Sequence, residues 1–147
     1  MKLIGIDSSG LVASVAIVED DTLVAEYTIE HKKTHSTTLM PMLNEIVKMS
    51  ELNLWEIDAV AIAAGPGSFT GLRIGSATAK GLAYSLNKPI IPVPTLAALA
   101  YNIQFFDGII CPLWTQEENR FIMDFIPSMK VSLQNLKNKE LCQYRNF

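Results

Sequence analysis

The sequence is poor in cysteine, in charge and in long hydrophobic runs. Only Cys111 and Cys142 occur in 147 residues, with neither the spacing of a zinc site nor the density of a disulfide framework. This excludes a disulfide-stapled secreted domain and favours a reducing cytoplasm. The apolar start, residues 1–6, is too short for a signal peptide and ends at Asp7, and no later run could span a membrane. We therefore expect a cytoplasmic protein without membrane contact.

Positive charge and histidine are also scarce. The net charge is −3, whereas a protein that binds nucleic acid strongly on its own needs a basic surface to neutralise phosphates. His31 and His35 are four residues apart, but the segment between them reads as the exit of a strand rather than as a helix, so no metal site is predicted. With 49% hydrophobic residues, the chain is long enough for one domain and part of a second.

Apolar runs and turn residues predict five strands and three helices before residue 107. The strands are expected at residues 2–6, 13–19, 22–29, 59–64 and 90–93, and the helices after Ser36 or Thr37, after Ser68 or Thr70, and from 96 to about 101. This order predicts an α/β fold: a ribonuclease-H-like domain of the actin-like ATPase superfamily, with a mixed five-stranded sheet and flanking helices, over residues 1–106. Residues 107–147 are expected to be the remnant of a truncated second domain, beginning with a strand at 109–113.

Small residues recur along the second predicted helix. Gly71, Gly75, Ala79 and Ala83 are spaced four apart and share one face. Each glycine inside a helix costs about 1 kcal/mol relative to alanine, so a compensating close approach of another backbone is expected. The row packs either on its own sheet or against another protein chain. The second alternative predicts a partner interface made of this row and of Leu72, Arg73, Met40 and Met42.

A glycine-rich turn precedes the same helix and faces its N-terminus, where free backbone N–H groups favour anions. Asp7 ends the first strand, where actin-like ATPases keep a metal-linked acid. Together they make a candidate nucleotide site composed of Asp7, Gly65, Gly67, Ser68 and Thr70. The turn is not a Walker loop, because no GKS or GKT follows, and Thr70 stands at the last glycine position of GxGxxG. A nuclease would need further acids beside Asp7 to hold paired metal ions, and the fourth strand ends without one.

Four segments are typical of one family: MKLIGIDSS, HSTTLMP, GPGSFTGLRIG and PIIPVPTLAALA. Over residues 1 to about 113 the chain resembles bacterial TsaB, also called YeaZ. The resemblance implies a non-catalytic accessory subunit without a cofactor. Members pair with TsaD, which transfers a threonylcarbamoyl group to adenosine 37 of tRNA, and with themselves, through helices of the N-terminal domain; the ATPase TsaE joins the pair. The metal-binding histidines of catalytic relatives lie on the helix that matches residues 95–101, where this chain has none.

An enzyme is the alternative that the residues leave open. An ATPase or phosphotransferase of the actin-like fold would bind nucleotide at Asp7 and the turn at 65–70, and would take its second phosphate loop from the other domain. A peptidase has no support, because the sequence offers neither a nucleophile–base pair nor a metal cluster.

From Trp114 onward the family pattern is lost, and no glycine follows Gly108. In a shifted reading frame, the third base of each codon joins the first two bases of the following codon. Read in this way, residues 113–121 allow the sequence Met-Asp-Ala-Arg-Arg-Lys-Gln-Val-Tyr, and that sequence is typical of the family. We therefore hypothesise that one base was lost near the codons for Pro112 and Leu113. The alternative is a divergent natural tail, and resequencing the gene from independent isolates decides between them.

Overall fold

The computed structural model describes residues 1–30, 35–103, 108–115 and 121–127. Three strands come first, followed by a helix: β1 (Lys2–Asp7), β2 (Val12–Glu19), β3 (Thr22–Glu30) and α1 (His35–Met49). A short 3-10 helix at Leu54–Glu56 leads into β4 (Ala59–Ala63), α2 (Phe69–Leu86), β5 (Ile90–Val93) and α3 (Thr95–Tyr101). Four short strands follow: β6 (Ile109–Ile110), β7 (Leu113–Thr115), β8 (Phe121–Met123) and β9 (Ile126–Pro127).

A five-stranded sheet in the order β3-β2-β1-β4-β5 organises the first part of the chain. β1, β2 and β3 pair antiparallel because short turns join them. β4 pairs parallel with β1, and β5 parallel with β4, because α1 and α2 return the chain to the starting edge of the sheet. The predicted mixed five-stranded sheet and the ribonuclease-H-like α/β fold are confirmed.

The hydrophobic core lies between this sheet and the two long helices. Ile4 of β1, Val15 of β2 and Val60 of β4 are fully buried in it. Helix α1 contributes Leu39, Met42, Leu43 and Ile46, spaced at three and four residues, which is the spacing of one helix face. Met42 is therefore a core residue, whereas Met40 on another face of α1 is 55% exposed.

Helix α2 is fixed at both ends by local hydrogen bonds. Ser68 caps its start, since the Ser68 hydroxyl accepts a hydrogen bond from the Gly71 N–H at 3.3 Å. Of the two predicted caps, Ser68 is therefore the one used. Asn87 ends the helix in the left-handed conformation, with φ 53°, and its N–H donates to the carbonyl oxygens of Ala83 and Tyr84.

Several predicted boundaries are wrong or lie outside the described residues. Helix α1 begins at His35 rather than after Ser36. The strand expected at 109–113 is broken into β6 and β7, because Pro112 has no N–H to donate to a ladder. β6 pairs with β9 and β7 with β8, both antiparallel. The predicted domain boundary at 106/107 and His31 of the rejected metal pair both lie outside the described residues.

Candidate functional site

Three loops meet at the edge where the parallel strands β1, β4 and β5 end, which is where open α/β sheets bind ligands. Ser8 and Ser9 follow β1, the glycine-rich turn follows β4, and Thr95 follows β5. Ser8, Ser9 and Thr95 are each at least 97% buried, although all three carry hydroxyl groups. Of the predicted site residues, Asp7 is the last residue of β1, and Gly65, Gly67 and Ser68 lie in the turn after β4. Thr70 lies exposed in the first turn of α2.

Hydrogen bonds join the loop after β1 to the start of α2. Asp7 Oδ1 accepts from the Ser9 N–H at 2.8 Å, and the Ser9 carbonyl oxygen accepts from the Ser68 N–H at 2.6 Å. The Ser8 hydroxyl donates to the Gly71 carbonyl oxygen at 2.9 Å. The Ser68 N–H therefore already donates to the Ser9 carbonyl oxygen and is not available to an anion at the start of α2.

Three glycines of this site leave no room for a side chain, because Ser8 and Ser9 approach them closely. A Cβ at Gly67 would lie 2.7 Å from Ser9 Cβ. A Cβ at Gly71 would collide with the Ser8 carbonyl oxygen, and one at Gly75 with the Ser8 hydroxyl. Gly65 needs glycine for a different reason, since its φ of 106° lies in the region that other residues rarely adopt.

These contacts correct the predicted partner interface. Gly71, Gly75, Ala79 and Ala83 are all buried, and Ala79 is fully buried. The row packs on its own sheet and on the loop after β1, so it has no surface left for a second chain. Met42 is in the core, and Leu72 is half-buried. Of the eight predicted interface residues, Arg73 and Met40 are the two that are exposed.

The opposite face of α2 is open. Phe69 is 67% exposed and Tyr84 91% exposed, and Arg73, Ala77 and Gly81 are exposed between them. The Arg73 guanidinium lies over the Phe69 ring, 3.9 Å from its centroid. A Cβ at Gly81 would meet no atom within 4 Å. We call this surface, from Phe69 to Tyr84, the outer face of α2.

Sequence reasoning missed most of the outer face, although a pattern for it exists. Phe69, Arg73, Ala77 and Gly81 are spaced four apart, as a second row beside the row that starts at Gly71. Near the end of the helix this face borders a shallow groove of about 630 Å³, lined by Lys80, Gly81, Ala83, Tyr84, Lys88 and Ile90.

Thr95 was not predicted as a site residue. Within the part of the chain that the structure describes, its buried hydroxyl has no hydrogen-bond partner, while its N–H donates to the Gly65 carbonyl oxygen at 2.8 Å. Across the same described residues, no group of three or more His, Cys, Asp or Glu side chains could hold a metal ion. None of the described helices is both long and apolar enough to cross a membrane.

Comparisons with known proteins identify the family. Residues 22–119 match the family model described as TsaD, tRNA N6-adenosine threonylcarbamoyltransferase. The chain is 34% identical over 155 aligned positions to the tRNA threonylcarbamoyladenosine biosynthesis protein TsaB of Bacillus subtilis, covering 95% of this chain and 68% of that one. It is 38% identical to TsaB of Escherichia coli K12, over 68% of this chain and 43% of the relative.

Solved structures agree with the sequence relatives. YeaZ from Pseudomonas aeruginosa superimposes with a TM-score of 0.64 at 25% identity, covering 89% of this chain and 70% of that one. The alignment with the Bacillus subtilis relative includes most of residues 114–147, and the shifted reading frame stays a prediction for the gene sequence to test. The chain spans less than half the length of the Escherichia coli relative. Its sequence and its fold place the chain in the TsaB (YeaZ) family, in the wider group that the TsaD model describes.

Proposed function

We propose that the chain is a non-catalytic subunit in the biosynthesis of threonylcarbamoyladenosine on tRNA, and that it acts by binding a TsaD-type threonylcarbamoyltransferase. Its relatives carry the name of this pathway, and some are themselves named as the transferase. A TsaE-type ATPase is the second partner in this proposal, and the cytoplasm is the compartment. A second copy of the chain can occupy the same surface when the transferase is absent.

The observation that carries the proposal is the outer face of α2. Exposed aromatic residues lie at its two ends, and small residues, Ala77 and Gly81, lie between them. A helix of another protein can approach closely over the small residues, while Phe69 and Tyr84 pack against its sides. Met40 on α1 is also exposed and supplies a flexible apolar side chain.

Titration calorimetry with the TsaD-type transferase of the same organism tests the proposal, using two variants at one position. Gly81→Leu fills the open space and should weaken binding by at least about tenfold, because a bulky side chain holds two helices apart. Gly81→Ala is the matched control and should bind like the unchanged chain. The thermal melting of both variants is measured alongside. Equal binding by the leucine variant would contradict the proposed surface.

The ATPase or phosphotransferase reading keeps one observation in its favour. Asp7 and the turn at 65–70 do come together, and the buried Thr95 hydroxyl beside them is free to bond a ligand within the described residues. Calorimetry with ATP and Mg²⁺ separates the two functions. A binding heat that Asp7→Asn abolishes would favour the enzyme, because a carboxylate is the ligand that Mg²⁺ prefers.

A further inference from the structure

Acidic residues are absent from one continuous half of the first domain. Between residues 59 and 106 the sequence contains three basic residues and no aspartate or glutamate. Residues 1–58 contain ten acidic and four basic residues, a net charge of −6. The whole chain is acidic, so this stretch with a net charge of +3 stands out from the rest of the chain.

The three cations lie along one side of α2 and at its end. Arg73 and Lys80 are exposed on the outer face, and Lys88 lines the groove beside Tyr84. Among the described residues none of the three forms an ion pair. The ring of Phe69 holds the plane of the Arg73 guanidinium, which leaves the N–H edge of the guanidinium for a carboxylate.

We propose that the outer face of α2 selects a partner helix that carries carboxylates, in preference to a second copy of this chain. The inference rests on the proposed function and names the chemistry of the partner. A two-fold contact between two copies through this face would bring cations against cations, because each surface patch meets itself or its close neighbours. No carboxylate of α2, β5 or the turn between them is present to neutralise them.

The surface fits a protein better than a nucleic acid. The groove has an apolar floor of Ala83 and Ile90, with Gly81 open at its side. Three cations neutralise few phosphates compared with the roughly 6–10 phosphate contacts of a protein whose DNA binding depends strongly on salt. Carboxylates placed between Lys80 and Lys88 would meet both ammonium groups while apolar side chains of the same helix cover the floor.

The test measures how strongly the chain binds the transferase at about 50 mM and about 300 mM NaCl, where screening of exposed charges differs strongly. The unchanged chain should bind more weakly at the higher salt concentration. Lys80→Glu and Lys88→Glu should each weaken binding at low salt by about threefold to tenfold, the range expected for charges at the rim of an interface. Lys48→Glu, an exposed lysine in the last turn of α1, is the matched control and should change binding little.

The outcomes separate this inference from the proposed function. Absence of binding at either salt concentration would overturn both. Binding that ignores salt, or that Lys48→Glu weakens as much as the other two variants, would overturn the inference alone. The inference also fails if the two groove variants weaken binding of tRNA by the chain but leave the transferase affinity unchanged.

Sedimentation of the chain alone supplies the second readout. Self-association should be weaker than transferase binding at low salt, and it should become stronger as salt screens the repulsion between like charges. A dimer that is tighter than the complex with the transferase at low salt would contradict the selection.

Discussion

Helix α2 carries small residues at a spacing of four on two of its faces, and these two faces differ completely in structure. The inner row begins at Gly71 and is sealed against the helix's own sheet and the loop after β1. The outer row contains Ala77 and Gly81 and faces open space. Small residues at a spacing of four therefore mark a close approach or an open face equally well, and the neighbouring chain segment decides which.

The largest expected effect on stability comes from a substitution that disrupts the packing of the inner row. Gly71→Ala should lower the free energy of unfolding by about 3 kcal/mol or more, because the new methyl group meets the Ser8 carbonyl oxygen and neither backbone can move freely. Urea denaturation followed by circular dichroism measures it. Gly75→Leu should also destabilise the monomer, because its side chain would meet the Ser8 hydroxyl and Ile62. A stable Gly71→Ala protein would show that the inner row is not tightly packed.

The second effect tests whether Ser8 is the segment that closes the inner row. Ser8→Ala removes the hydrogen bond to the Gly71 carbonyl and should lower the free energy of unfolding by about 1–2 kcal/mol. It also removes the atom that a Cβ at Gly75 would strike, so Gly75→Ala should cost less in the Ser8→Ala background. Additive costs in this double-mutant cycle would contradict the contact between the two positions.

The sequence predicts the fold more completely than the site, for a physical reason. The five strands and three helices before residue 107 follow from sequence patterns within segments of 4 to 18 residues, which is local information. Whether the row that begins at Gly71 is covered depends on Ser8, which lies 63 residues earlier in the chain. It depends in particular on the distance between the Ser8 carbonyl group and α2. Both faces of the helix carry small residues at a spacing of four, Gly71 and Gly75 on one and Ala77 and Gly81 on the other, so spacing alone could not tell which face is covered. The convergence of Asp7 with the glycine-rich turn was predictable, because the ends of parallel strands share an edge.

A smaller effect of opposite sign is expected on the outer row. Gly81→Ala should raise the free energy of unfolding by about 0.5–1 kcal/mol, because alanine has the higher helix propensity and its methyl group meets no atom. Measured in the same urea titration, it is the natural counterpart of Gly71→Ala. A destabilised Gly81→Ala protein would mean that another part of the chain covers the outer face.

The smallest expected effect on stability comes from an ion pair of Lys2, which differs in this respect from the cations of α2. At the start of β1, Lys2 Nζ lies 3.0 Å from Glu56 Oε2 and 3.5 Å from Glu19 Oε1. The hydrogen bond with Glu56 raises the pKa of Lys2, and the same bond lowers the pKa of Glu56. A carboxyl group whose pKa is lowered by folding stabilises the protein above its unfolded-state pKa, and this stabilisation is lost as pH falls through the folded-state pKa. A lysine whose pKa is raised by folding stabilises the protein below its unfolded-state pKa, and this stabilisation is lost as pH rises through the folded-state pKa.

The contribution of the Lys2–Glu56 pair should therefore be complete between about pH 5 and pH 10 and be lost progressively as the pH falls below or rises above that window. Glu56→Gln should remove a small stabilisation at pH 7 and progressively less as the pH falls through the lowered pKa of Glu56, because protonated glutamate and glutamine are alike in charge. Lys80→Gln should leave the free energy of unfolding at pH 7 unchanged, since Lys80 forms no ion pair within the described residues. If Lys80→Gln lowers the free energy of unfolding at pH 7 as much as Glu56→Gln does, a carboxylate of the chain already neutralises the groove, and the proposed preference for an acidic partner is wrong.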